Sequence, residues 1–91
     1  YLLSYSAHIS DINFLSDKRP EKCAAKFRYR QPDIDVQVEY LNDNNILVKY
    51  PQGVKAVTPG QACVLYLNDE CILGGIIEEV YDESNNKISY V

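Results

Sequence analysis

The chain has 91 residues, 46% apolar and 24% charged, and carries a net charge of −4 at neutral pH. That length makes one domain, able to bury roughly 60–65% of its unfolded surface without a metal or disulfide staple, and the composition excludes a disordered chain. The acidic balance argues against a freestanding nucleic-acid binder, which is usually basic overall. The sequence contains no Met and begins at Tyr1, so a piece or trimmed product of a longer protein is expected. No apolar run approaches the ~20 residues of a membrane-spanning helix, and no signal-peptide pattern opens the chain.

The opening stretch, Leu2 to Phe14, reads as an edge strand and a connection, because no window carries a 3.6-residue stripe. From Lys22 to Tyr29 the period is two: Cys23, Ala25, Phe27 and Tyr29 alternate with Lys22, Ala24, Lys26 and Arg28. Successive strand side chains point to opposite faces, so one face is apolar and the other carries a basic strip. Gln31-Pro32-Asp33 breaks that run. Val36, Val38 and Tyr40 form a second alternating strand, Asn42 to Asn45 supply turn chemistry, and Ile46, Val48 and Tyr50 continue a hairpin. Pro51 to Gly53 and Pro59-Gly60 bracket a loop around a short strand, Val54 to Val57. Ala62 to Leu67 is nearly continuous in apolar residues, as in a strand covered on both sides. Asn68-Asp69 turns into a long strand, Glu70 to Tyr81, where Gly74-Gly75 marks a bulge or the close approach of another backbone. Asn85-Asn86 leads to a last strand, Lys87 to Val91. Six or seven short strands separated by Gly, Pro and Asn turns predict an all-β fold, a small antiparallel barrel closed on itself.

Little chemistry is legible. The three cysteines, Cys23, Cys63 and Cys71, lack C-x-x-C spacing and lie in apolar stretches, which reads as core packing in a reducing, cytoplasmic setting. His8 has no Ser or Cys in a recognisable motif beside it, and no phosphate-binding glycine loop occurs. Glu78-Glu79 and Asp82-Glu83 read as solvated charge rather than a general acid and base. No metal-ligand spacing is present. What remains is the basic stretch, which holds six of the nine Lys and Arg residues between Lys18 and Arg30. Lys22, Lys26, Arg28 and Arg30 share its outward face. Two guanidinium groups two residues apart can each grip phosphate oxygens in a bidentate manner, and Gln31 can reach a base edge or backbone. The same pattern also describes an exposed cationic strand balanced by Asp33, Asp35 and Glu39.

Four segments point to a known family. Asp11-Ile12-Asn13-Phe14-Leu15-Ser16 resembles the D-(V/I)-N-W-(L/I)-S segment that opens the C-terminal domain of tRNA-specific 2-thiouridylases. Lys26-Phe27-Arg28-Tyr29-Arg30-Gln31-Pro32 resembles their K-x-R-Y-R-Q stretch. Val54 to Ala62 is similar to their A-V-T-P-G-Q element, and Cys71-Ile72-Leu73-Gly74-Gly75-Ile76-Ile77 to their C-L-G-G-G-I-I ending. Phe14 stands where the family has Trp, Leu73 takes the first position of the glycine triplet, and nothing after Ile77 matches.

The resemblance implies a C-terminal barrel like the second domain of translation elongation factors, spanning residues 1–91 of a longer enzyme whose N-terminal catalytic and central domains lie elsewhere. That parent is expected to adenylate the wobble uridine of tRNA with ATP and Mg, then place persulfide sulfur on its C2 position. The nucleotide loop and the catalytic cysteines belong to the missing N-terminal domain, and the parent is expected to work with a sulfur-carrier protein. The barrel itself is expected to hold no cofactor or metal, to be non-catalytic, to avoid membranes, and to contact tRNA. Lys22, Lys26, Arg28, Arg30 and Gln31 are then the contact candidates. Thr58 and Gln61 either join them or only shape the turn around Pro59 and Gly60. The alternative is a structural or protein-docking barrel with no RNA contact, suggested by the acidic charge and the apolar density from Ala62 to Ile77.

Overall fold

The alternating runs become strands in the computed structural model, which describes residues 3–27, 33–55 and 57–88. They are β1 (Leu3–Phe14), β2 (Lys22–Lys26), β3 (Ile34–Asn42), β4 (Asn45–Lys55), β5 (Ala62–Leu67) and β6 (Glu70–Tyr81). All neighbours pair antiparallel, in the order β1-β4-β3-β2-β5-β6, and β6 returns to β1 to close the barrel. The all-β barrel read from the period of two is therefore borne out. Among the described residues, no helix is long and apolar enough to cross a membrane.

Inward positions fill the core: Val36 and Val38 from β3, Ile46, Val48 and Tyr50 from β4, Cys63 and Leu65 from β5. Tyr50 is fully buried, and its ring meets Phe27 edge to face with centroids 5.2 Å apart. Its hydroxyl shares a 2.7 Å hydrogen bond with the Ser4 hydroxyl, so the buried phenol keeps a partner.

Three expectations are corrected. The first strand is not an edge, because β1 runs for 12 residues and pairs with both β4 and β6. Pro51 to Gly53 is not a loop but part of β4. There, Ser6 faces Lys49 and Ser4 faces Val54, leaving four residues of β4 against Tyr5 alone. Pro51 is tolerated because the β3 ladder ends at Gln37 and Lys49, so no hydrogen bond needs its missing N–H. β5 is not covered on both sides: Cys63 and Leu65 are buried, whereas Val64 and Tyr66 are only half-buried. Of the last strand, residues 89–91 lie outside the described residues. Lys87 makes an isolated bridge to Tyr81, and buried Ile88 donates to the Val80 carbonyl at 2.8 Å.

The turns follow their side chains. Asn68 and Asp69 both take positive φ, 51° and 68°, the two-residue hairpin geometry that matches strand twist. Asn42 Oδ1 accepts from the backbone N–H of Asn44 at 2.9 Å, an Asx turn into β4. At the closing seam Asp11 and Ile12 of β1 stand opposite Gly75 alone, and Asp11 takes φ 52°. The Ile12 N–H, released from the ladder, donates to Asn44 Oδ1 at 3.2 Å.

Gly75 is the close approach anticipated for the glycine pair. A Cβ there would lie 2.6 Å from Ile9 Cγ2 and 2.8 Å from both Ile12 Cδ1 and the Ser10 carbonyl oxygen. A Cβ on Gly74 would meet only the Cys63 carbonyl, at 3.8 Å. Leu73, at the family's first glycine position, is fully buried and spends its larger side chain on the core. Gly75→Ala is therefore expected to lower unfolding free energy by about 1–3 kcal/mol through overpacking. Gly74→Ala should be neutral or gain up to about 1 kcal/mol from a less flexible unfolded chain. Urea midpoints of the two variants check this, and equal destabilisation by both would refute the close-approach account.

Candidate nucleic-acid interface

The outward face of β2 follows from its alternation. Ala25 is buried, so Lys22, Ala24 and Lys26 share the opposite face, and one strand rise per residue puts roughly 13 Å between the two lysines. Lys22 is exposed and forms no ion pair among the described residues. Lys26 lies 3.8 Å from the Asp33 carboxylate, with both side chains part-exposed. Such a pair is weak enough to give way to a phosphate. Arg28, Arg30 and Gln31 lie outside the described residues, as does Tyr29. Their segment, 28–32, joins buried Phe27 to Asp33 and so continues from the Lys26 end of β2.

Thr58 and Gln61 belong to a tight turn. The Gln61 N–H donates to the Thr58 carbonyl at 3.3 Å, and Gly60 takes φ 93°, the pattern of a type II turn with Pro59 at its first corner. The Gln61 side-chain oxygen accepts from the Thr58 N–H at 3.2 Å, closing the turn from outside. Two backbone bonds stitch the turn to β6: Gly60 N–H to the Ile77 carbonyl and Ile77 N–H to the Gln61 carbonyl, both 2.8 Å. Gln61 thus serves the turn first. Register brings this turn near the exit of β2, since Lys26 faces Val64, two residues after β5 begins at Ala62.

An open groove of about 550 Å³ lies alongside, lined by Lys22, Ala24, Asp35, Gln37, Pro51 and Tyr66 among others. Sequence reasoning missed Tyr66. The near-continuous apolar run of β5 hid the fact that period two sets Tyr66 outward from Leu65, and only the register shows it facing Ala24.

The connection from β1 to β2 is pinned beside this face. The Arg19 guanidinium sits 3.7 Å from the centroid of the Phe14 ring, so the aromatic at the family's Trp position acts as a cation–π seat. Arg19 also donates to the Ser16 and Lys18 carbonyls, Tyr40 donates to the Pro20 carbonyl at 2.7 Å, and Lys18 pairs with Glu70 at 2.8 Å.

Several other polar groups are occupied. His8 Nε2 bonds Asn45 Oδ1 at 2.8 Å. Glu78 accepts from the Ser10 hydroxyl at 2.7 Å, and Glu79 from Tyr81 at 2.9 Å. Asp82 Oδ1 caps the N–H groups of Ser84 and Asn86. Among the described residues, no three His, Cys, Asp or Glu side chains cluster in a way that could hold a metal.

All three cysteines are free. Burial pushes the Cys63 thiol from 9.0 to about 12, with Cys23 adding to the rise, and pushes Cys23 to about 11. Both thiols therefore stay protonated and poor as nucleophiles at neutral pH. A raised pKa means the folded state holds these protons more tightly. Their contribution to stability is complete below pH 9.0 and is lost as pH climbs through about 11 and 12. Iodoacetamide mass mapping of the native chain near neutral pH should leave Cys63 unmodified until denaturant is added. Prompt native labelling of Cys63 would contradict its placement.

Residues 4–77 match a family model described as the aminomethyltransferase β-barrel domain. The tRNA-specific 2-thiouridylase MnmA of Geobacillus thermodenitrificans is 49% identical over 94 residues, covering 100% of this chain and 25% of that protein. The MnmA of Acholeplasma laidlawii is 42% identical over 88 residues, 97% of this chain and 24% of its own length. That of Mesoplasma florum is 48% identical over 87 residues, 88% and 23%. The chain spans about a quarter of the length of these relatives. With a closed antiparallel barrel and a family match from residue 4 to residue 77, the chain belongs to the aminomethyltransferase β-barrel domain family, among the barrels of tRNA-specific 2-thiouridylases.

Proposed function

We propose that this chain is the non-catalytic tRNA-handling barrel of a cytoplasmic tRNA-specific 2-thiouridylase, one domain of a longer enzyme. The carrying observation is the outward face of β2, where Lys22 and Lys26 stand on a closed barrel and lead into Arg28, Arg30 and Gln31. Charged groups on a rigid strand orient a polyanion better than the same groups on a loop, because less side-chain and backbone entropy is lost on binding. In this reading the lysines and arginines grip phosphates, Gln31 meets a base edge or the backbone, and the Thr58 to Gln61 turn flanks the track. The rest of the enzyme adenylates the wobble uridine with ATP and Mg and accepts persulfide sulfur from a carrier protein. Neither Cys63 nor Cys23 fits that sulfur chemistry, since burial holds both thiols protonated.

The docking alternative loses part of its motivation. The apolar density from Ala62 to Ile77 is mostly spent on the core, with Cys63, Leu65, Ile72, Leu73 and Ile77 buried and only Ile76 large and exposed.

Titrating the labelled chain with an anticodon stem-loop RNA tests the proposal. Amide shifts should concentrate at Lys22 to Gln31 and fade as salt rises, with a slope of roughly −0.7 to −0.9 in log affinity per phosphate neutralised. Arg28→Ala combined with Arg30→Ala in the full-length enzyme should weaken tRNA binding and leave the barrel folded. Unchanged affinity and thiolation in that double variant would refute tRNA handling by this face.

A further inference from the structure

Lys22, Ala24, Asp35, Gln37 and Tyr66 form an arrangement that phosphate binding alone does not require. We propose that Tyr66 is a stacking platform for one unpaired base of the bound RNA, seated in the groove over Ala24. The inference rests on the tRNA-handling reading and names what the groove adds to it.

The register builds the groove. Ala24 lies directly between Tyr66 on β5 and Asp35 on β3, so the outward row across three strands runs aromatic, methyl, carboxylate. Neighbouring strands are roughly 4.8 Å apart, which leaves about 10 Å between the flanking side chains with only a methyl group to floor the gap. The next outward row pairs Lys22 with Gln37. The opening of about 550 Å³ falls within the range of small-ligand sites and is open to solvent, so a base can enter without distorting the barrel.

The chemistry of the lining selects the occupant. A half-buried tyrosine ring offers a π-face, and no hydrogen bond holds the Tyr66 hydroxyl among the described residues. Lys22, without an ion pair among the described residues, is placed for the phosphate of the same nucleotide. Asp35 accepts hydrogen bonds and Gln37 both donates and accepts, matching the polar edges of a base rather than an aliphatic side chain. The stacking ring and the basic strip belong to one surface, since Lys26, the other outward lysine of β2, faces Val64, two residues along β5 from Tyr66 and on the same face. A stacked base would bind one face of the ring while Lys22 and Lys26 meet the adjoining phosphates.

The test uses the 91-residue chain, whose closed barrel encloses its own core, and an anticodon stem-loop RNA. On titration the Tyr66 ring proton resonances should move upfield, the ring-current signature of a stacked base. Tyr66→Phe should keep wild-type affinity within about twofold, whereas Tyr66→Leu should lose about tenfold while retaining the salt slope. Should Tyr66→Leu unfold, the ring shifts in the wild-type chain and the Phe variant decide the matter. Shifts and salt-dependent binding confined to Lys22, Lys26 and the 28–31 segment, with the Tyr66 ring unmoved, would overturn base stacking and leave the tRNA-handling reading standing. Absence of any RNA-dependent shift would overturn both.

Discussion

Everything in this barrel depends on bringing β1 against β6. A six-stranded sheet that failed to close would expose two rows of unpaired N–H and C=O groups, an aggregation template. Closure requires one backbone to pass close to another, and the Ser10 carbonyl comes within 2.8 Å of where a side chain at position 75 would begin. Glycine is the residue that permits this. The cost reappears as irregularity in β1: Asp11 in a left-handed conformation and Ile12 displaced from the ladder, its N–H satisfied by Asn44 from the turn between β3 and β4. A second bulge leaves Glu78 without a ladder partner between Ile77 and Glu79, and the Ser10 hydroxyl ties that carboxylate back to β1. The seam is thus held by side chains wherever the ladder is interrupted.

A closed barrel is stiff, and stiffness is what the proposed interface uses. β2 is the shortest strand, with five residues, yet it is flanked on both sides by β3 and β5. Its outward side chains are therefore fixed in direction although they stand in solvent. The body is acidic overall, so a polyanion would be drawn to this face rather than to the molecule at large. Affinity would remain modest and salt-sensitive. That suits the proposed role, in which binding by this barrel would add to contacts made by the rest of a longer enzyme.

Polar residues that resemble catalytic machinery on paper are absorbed by structure. Glu79 takes the Tyr81 hydroxyl, Asp82 caps a turn, His8 ties β1 to the start of β4, and the Gln61 amide closes its own turn. A satisfied hydrogen bond on each explains its presence without invoking a reaction. Cys63 behaves as a small apolar side chain, as its burial and raised pKa both indicate.

The amino-acid sequence by itself determined the elements whose signal is local. Alternation placed Val36, Val38, Ile46, Val48 and Tyr50 inward, Asn68-Asp69 marked a tight turn, Pro59-Gly60 another turn, and Gly74-Gly75 a bulge or a close approach, which the structure places at Gly75. The basic strip was equally legible, since period two alone sorts Lys22 and Lys26 from Ala25. Tertiary structure decided what depends on partners. Leu3 to Phe14 reads as an edge because nothing local says that two different strands will flank it. Pro51 and Gly53 read as a loop because only the early end of the β3 ladder makes a proline harmless there. Tyr66 passed as core because its neighbours in sequence are apolar, while its neighbour across the strands is an alanine that leaves the ring beside an open groove. Periodicity reports which face a residue occupies; strand register, a relation between distant segments, reports what that face looks onto.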